Sequence, residues 1–169
     1  MTDERKLVWT AEEIGASAFR FLHPLDDGAE VFLAPLSRIT GLERAGVNLV
    51  RVPPGRRAFP LHRHHVEEEW VYVLSGSAEV RLDAERHRLG PGGFAVFPPG
   101  GPAHAVENPS AEADLVCLTG GENAPGEIVD FPEACRRIVR GRDLFESADT
   151  AGFGPFDYFS KSPLPEGTA

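Results

Sequence analysis

Short β-patterned segments, each closed by a cluster of glycine and proline, recur through the middle of this chain. Glu30-Val31-Phe32-Leu33-Ala34 opens the series. Gly46 to Val52 alternates, with Val47, Leu49 and Arg51 on one face, and stops at Pro53-Pro54-Gly55. Trp70-Val71-Tyr72-Val73-Leu74 is a nearly continuous β-branched and aromatic run ending at Ser75-Gly76. Ala78 to Leu82 alternates cleanly and is expected to pair with it as a hairpin. Phe94 to Phe97 lies between Gly90-Pro91-Gly92-Gly93 and Pro98-Pro99-Gly100-Gly101-Pro102, and residues 103–107 and 115–118 supply two further strands. Helix interiors exclude both glycine and proline, and turn signals roughly every 8–12 residues predict an all-β sandwich or barrel, not a βαβ layout. With 18 glycines and 15 prolines in 169 residues, the two make up roughly a fifth of the chain.

The ends read differently. Thr10-Ala11-Glu12-Glu13 fits a capping box and predicts a short helix. Beyond Phe131, Pro132 and Gly141 bracket either a short helix over 132–140 or an extended strand over 137–140. The tail Phe153-Gly154-Pro155-Phe156-Asp157-Tyr158-Phe159 is too aromatic for a solvated end, so it is expected to pack on the barrel or on a second subunit. The length suits one domain. The expected division is an N-terminal extension 1–28, a barrel 29–131 and a C-terminal extension 132–169.

With 17 Lys and Arg against 26 Asp and Glu, the formal net charge is −9. That argues against a nucleic-acid partner and against an anionic membrane surface. The basic run Arg136 to Arg142 reads as a solvated face. Cys117 and Cys135 stand apart, outside any C-x-x-C pair. Met1 to Lys6 is followed by no apolar run, and no stretch of about 18 apolar residues occurs. A cytoplasmic location with reduced thiols is expected.

Chemistry concentrates in the histidines. Side chains two apart on a strand share a face, so His62 and His64 project to the same side. A return strand would bring a carboxylate opposite them, from among Glu67, Glu68 and Glu69. His104 opens another strand after Gly100-Gly101-Pro102. Imidazole and carboxylate together suit a divalent transition metal: zinc, iron, manganese, nickel or copper. His65 falls on the other strand face and reads as surface; His23 and His87 have no evident partner. Phe59, Trp70, Tyr72, Phe94 and Phe97 are candidate pocket walls, although parity sets Trp70 and Tyr72 opposite Glu69.

These segments resemble the two motifs of the cupin superfamily. The first runs His62-x-His64, four residues, Glu69, six residues, Gly76, with Gly55 one residue further upstream than the motif's leading glycine. The second is matched without a gap by Gly93, Pro99, Gly101, His104 and Asn108. The motif's spacing after His64 admits both Glu68 and Glu69. The distance back from Gly76 favours Glu69, which shares a strand face with Val71 and Val73, while Glu68 shares the opposite face with Trp70 and Tyr72.

The resemblance implies a double-stranded β-helix, the jelly-roll cupin barrel, with His62, His64, Glu69 and His104 holding a divalent metal (Zn, Fe, Mn or Ni) inside its wider end. It implies a homodimer and a small-molecule ligand or substrate. The expected function is a metal-dependent enzyme of dioxygenase or isomerase type acting on a small organic acid or sugar-like compound. The alternative is a non-catalytic binding or sensor protein.

Overall fold

The computed structural model describes residues 6–141 and 145–150. In chain order the elements are α1 (Ala11–Ala16), β1 (Phe19–Leu22), β2 (Glu30–Ala34), α2 (Leu36–Thr40), β3 (Ala45–Val52), β4 (Arg63–His64), β5 (Glu69–Ser75), β6 (Ala78–Leu82) and β7 (Glu85–Leu89). They continue with β8 (Phe94–Phe97), β9 (His104–Glu107), β10 (Leu115–Glu122), β11 (Glu127–Phe131), β12 (Arg136–Arg140) and β13 (Phe145–Asp149). The predicted capping box forms: the Glu13 N–H donates to Thr10 Oγ1 and the Thr10 N–H to the Glu13 carboxylate.

The strands make a jelly-roll barrel. One sheet has the order β1-β2-β3-β10-β5-β8, a second β13-β12-β11-β4 and a third β7-β6-β9, with every strand pairing antiparallel. The inward face of the large sheet buries Val31, Val50, Val52, Val71, Val73, Leu115 and Cys117 against Val80 and Val106 of the facing sheet. Burial pushes the Cys117 thiol up to about 12, so it is an inert apolar filler. In β3 the buried parity is that of Val50 and Val52; Val47, Leu49 and Arg51 share the outer, half-covered face.

One local expectation fails, and one open alternative is decided for the strand, β12 over Arg136–Arg140. The 70–74 and 78–82 segments do not form a hairpin. β5 pairs with β10 and β8, whereas β6 pairs with β7 and β9. The chain changes sheet at Gly76, where φ is +82° and a Cβ would stand 2.4 Å from the Asp114 carbonyl oxygen. Alternation tells which residues face inward but not which sheet a strand joins. The 132–140 segment is not a helix. Pro132 to Cys135 is a turn closing a hairpin, with Phe131 opposite Arg136 and Val129 opposite Ile138. Ile138 and Val139 favour a strand once β11 offers an edge. The aromatic tail 153–159 lies outside the described residues.

An ion-pair knot ties this hairpin to the 62–65 segment. Asp130 accepts from Arg137 at 2.5 and 2.8 Å and from His65 Nε2 at 2.8 Å, with Arg63 at 3.4 Å. His65 is exposed, as expected, and is held by this contact with Asp130. The Arg137 hydrogen bonds, joined by His65, hold the Asp130 carboxyl below the ordinary range despite burial. A depressed folded-state pKa stabilises above the unfolded value, near 4, and that stabilisation is lost as pH falls. Asp130→Asn is expected to cost about 1–2 kcal/mol at pH 7. The difference from wild type should shrink in urea melts at pH 3; a penalty independent of pH would contradict the ion-pair assignment.

Candidate metal centre

His62 and His104 sit directly opposite each other in a two-way antiparallel bridge. The His62 N–H donates to the His104 carbonyl at 3.0 Å, and the His104 N–H returns the bond at 2.7 Å. Their rings therefore emerge side by side, with centroids 4.4 Å apart. His64 lies two residues on, in β4, on the same face and in register with Val129 of β11. Glu69 opens β5 on the facing sheet, paired with Phe97 and Gly121. The Phe97 ring stacks on His104 at 3.8 Å.

All four predicted residues converge. Glu69 Oε2 lies 2.8 Å from His104 Nε2 and 3.3 Å from both His62 Nε2 and His64 Nε2. The four donor atoms all fall within 4.8 Å of one another. Donors bound at about 2.0–2.2 Å around one ion stand roughly 3.0–3.5 Å apart, so this set fits a first-row divalent metal. His62 Nδ1 is 2.8 Å from the Pro60 carbonyl oxygen, which places a proton on Nδ1 and leaves the Nε2 lone pair facing the centre. The His104 Nδ1 is buried with no partner among the described residues. Glu68 is exposed and stays outside the cluster.

Burial pushes the Glu69 carboxyl upward, but hydrogen bonds from His104, His62 and His64 outweigh it and hold the group well below the ordinary range. The same contact acts differently on two imidazoles. At His104, whose side chain is 3% exposed, desolvation prevails and lowers the pKa. At His64, 15% exposed, attraction to Glu69 overcomes desolvation and raises it.

Other residues near the centre are not singled out by the sequence patterns. Glu127 is buried behind His64. Its Oε1 accepts from the N–H groups of His65 (3.0 Å), Val66 (3.2 Å) and Ile128 (2.7 Å), and its Oε2 from Glu67 (2.6 Å). One carboxylate thus holds residues 65–67 of the link between the His64 and Glu69 strands, while the Glu68 N–H donates to Glu122 at 3.2 Å, and Oε2 of Glu127 comes within 3.7 Å of His64 Nδ1. The available signal was parity: Glu127 shares a strand face with Val129 and Phe131 and so points inward. Glu67 is also buried; its Oε1 accepts from the Ala124 N–H at 2.6 Å and from Arg140. Burial is the main influence raising its pKa.

A cavity of about 250 Å³ opens beside His62, His64 and Glu69, walled by Phe59, Val129, Phe131 and Ile138. His23, a residue without an expected role, joins this wall, its ring 5.4 Å from Phe131. Of the aromatic wall candidates, Phe59 lines this cavity, and Phe97 and Trp70 line a small void beside His104. Tyr72 and Phe94 point outward and are exposed.

Comparison with known proteins agrees with this geometry. A family model described as a cupin domain matches residues 48–120. A protein of Acidithiobacillus ferrooxidans, provisionally named a sugar phosphate isomerase, is 33% identical, with 92% of this chain and 99% of that chain covered at a TM-score of 0.83. A cupin named a sugar phosphate isomerase from Silicibacter pomeroyi is 27% identical, with 85% and 94% covered at a TM-score of 0.71. Quercetin 2,3-dioxygenase of Bacillus subtilis is 42% identical over 62 residues, and the match covers 37% of this chain but only 18% of the dioxygenase. Proteins of this kind commonly bind a divalent metal. Motif spacing, barrel topology and a full-length relative agree, and the chain belongs to the cupin superfamily as a small cupin-domain protein.

Proposed function

We propose that this protein is a metal-dependent enzyme of isomerase type, acting on a small organic acid or hydroxycarbonyl compound, sugar-like compounds included. The observation that carries the reading is the placement of three imidazoles and one carboxylate at the end of a cavity. Four protein donors on a five- or six-coordinate ion leave a position for a substrate oxygen. His62, His64, Glu69 and His104 would hold the ion, whose chemistry when bound is to polarise a carbonyl or hydroxyl oxygen.

The chain's own residues do the rest. Phe59 and Phe131 exclude water from the inner wall. Glu67 lines the cavity, and only its Oε1 has partners among the described residues, which leaves Oε2 to take and return a substrate proton. The two isomerase-named relatives, both matched over nearly their whole length, support this class ahead of the dioxygenase, which the chain matches over a short stretch. A homodimer belongs to the same reading. Its support is the outer face of β5 and β8, where Phe94 is 55% and Val96 60% exposed beside Tyr72 and Leu74.

The test is a screen of the metal-loaded protein with hydroxycarbonyl compounds in deuterated water, read by NMR as exchange at the carbon next to the carbonyl. Wild type is expected to exchange that proton. Glu67→Gln should exchange it at least about 100-fold more slowly while keeping its metal. Oxygen uptake without exchange would replace the isomerase class by the dioxygenase class. Binding without either would leave a ligand-binding protein.

A further inference from the structure

We propose that the substrate has an uncharged, apolar body about the size of one ring attached to its oxygen-bearing head, and that it is not a phosphorylated sugar. This rests on the metal-centre reading above and narrows it. Beyond the His62, His64 and Glu69 end, one part of the cavity wall is carbon: Phe59 and Phe131, with Val129 and Ile138, which are cross-strand partners in β11 and β12. A hydroxyl or phosphate oxygen laid against these side chains loses water and finds no hydrogen bond in exchange. His23 adds a ring to this wall, with its Nδ1 accepting from the Leu25 N–H at 3.2 Å.

Charge argues the same way. The cavity is lined by three carboxylates, Glu67, Glu69 and Glu127, against one guanidinium, Arg140. Arg140 is already paired with Glu67. A phosphate group usually meets a surplus of cationic donors or a run of free backbone N–H groups. Here the nearby N–H groups of residues 65–67 are taken by the Glu127 carboxylate. With a divalent ion bound these charges sum to about zero, so a dianion placed in the cavity would find no cationic surplus.

Three probes share one α-hydroxyketone head and differ only in body: hydroxyacetone, 2-hydroxyacetophenone and dihydroxyacetone phosphate. Calorimetric titration of the metal-loaded protein is expected to show 2-hydroxyacetophenone binding at least about tenfold tighter than hydroxyacetone, as burial of a ring warrants. Dihydroxyacetone phosphate should bind no tighter than hydroxyacetone. Ile138→Phe, which fills the wall from a strand that bears no proposed ligand, should abolish the preference for the ring. Equal binding of the methyl and phenyl probes, or tightest binding of the phosphate, overturns the proposal.

Metal content measured on the same samples separates this from failure of the metal centre. Should the chain take up no metal, benzyl alcohol tests the wall alone. Binding that Ile138→Phe removes supports the apolar body, and absence of binding overturns it.

Discussion

His62→Ala and His104→Ala are each expected to lose bound divalent metal about 100-fold or more in affinity, whereas His87→Ala keeps the wild-type content. Removing a residue that merely orients a ligand already costs about 10–100-fold, and a lost ligand costs at least as much. His62 and His104 present Nε2 to the same Glu69 oxygen from adjacent positions of one backbone bridge. His87 is 52% exposed on β7, with Glu85 3.4 Å away and no other donor of the centre nearby. Elemental analysis of untagged protein reads the result. Equal metal in all three variants would remove the site assignment. Glu69→Gln against Glu68→Gln checks the carboxylate in the same way, with loss expected only for Glu69→Gln. The element recovered also bears on the chemistry. Iron, manganese or copper would direct attention to dioxygen, and zinc or nickel to Lewis-acid catalysis.

The second large effect is expected away from the four ligands. Glu127→Ala should destabilise the fold by about 3 kcal/mol, since it removes the carboxylate acceptor of the Val66, Glu67 and Ile128 N–H groups and each orphaned donor costs about 1 kcal/mol or more, while the His65 N–H keeps the Ile128 carbonyl. Partial access of water to the 65–67 segment keeps the sum from rising further. Glu127→Gln is expected to cost less, about 1 kcal/mol. It retains Oε1, which serves His65, Val66 and Ile128, and turns an amide toward the Glu67 N–H in place of Oε2. Urea unfolding with an unchanged slope measures both. Because the segment joins His64 to Glu69, Glu127→Ala should also lower metal occupancy although Glu127 is no proposed ligand. A Glu127→Ala midpoint equal to wild type would show that the loop holds itself.

Much of this molecule is legible in its residues. Period-two patterns between glycine and proline clusters mark β2, β3, β5, β6, β8, β9 and β10. The paired spacings of His62, His64, Glu69 and Gly76, and of Gly93, Pro99, Gly101, His104 and Asn108, select the four converging donors. The reason is local. Parity places alternate side chains on one face, and the turn residues set where each strand begins. Asn108 shows the second half of that logic: its side chain donates to the Val52 and Ala113 carbonyls and accepts from the Ser110 N–H, closing the turn after His104's strand.

The failed strand expectation is one of pairing. The sequence between Trp70 and Leu82 reads as a hairpin because adjacency is the default for neighbouring strands. The barrel sends the two to opposite sheets through a left-handed Gly76. Glu127, His23 and Arg140 look unremarkable along the chain because each acquires its role from a segment about 40–75 residues away. Residue type and spacing therefore determine the all-β class, the inward faces and the metal-ligand candidates, all properties of a strand and its turns. Only the tertiary structure decides the partner of each strand, the carboxylate that braces the ligand loop and the apolar wall of the cavity. Those depend on which sheet a strand joins, and side-chain alternation is the same in either sheet.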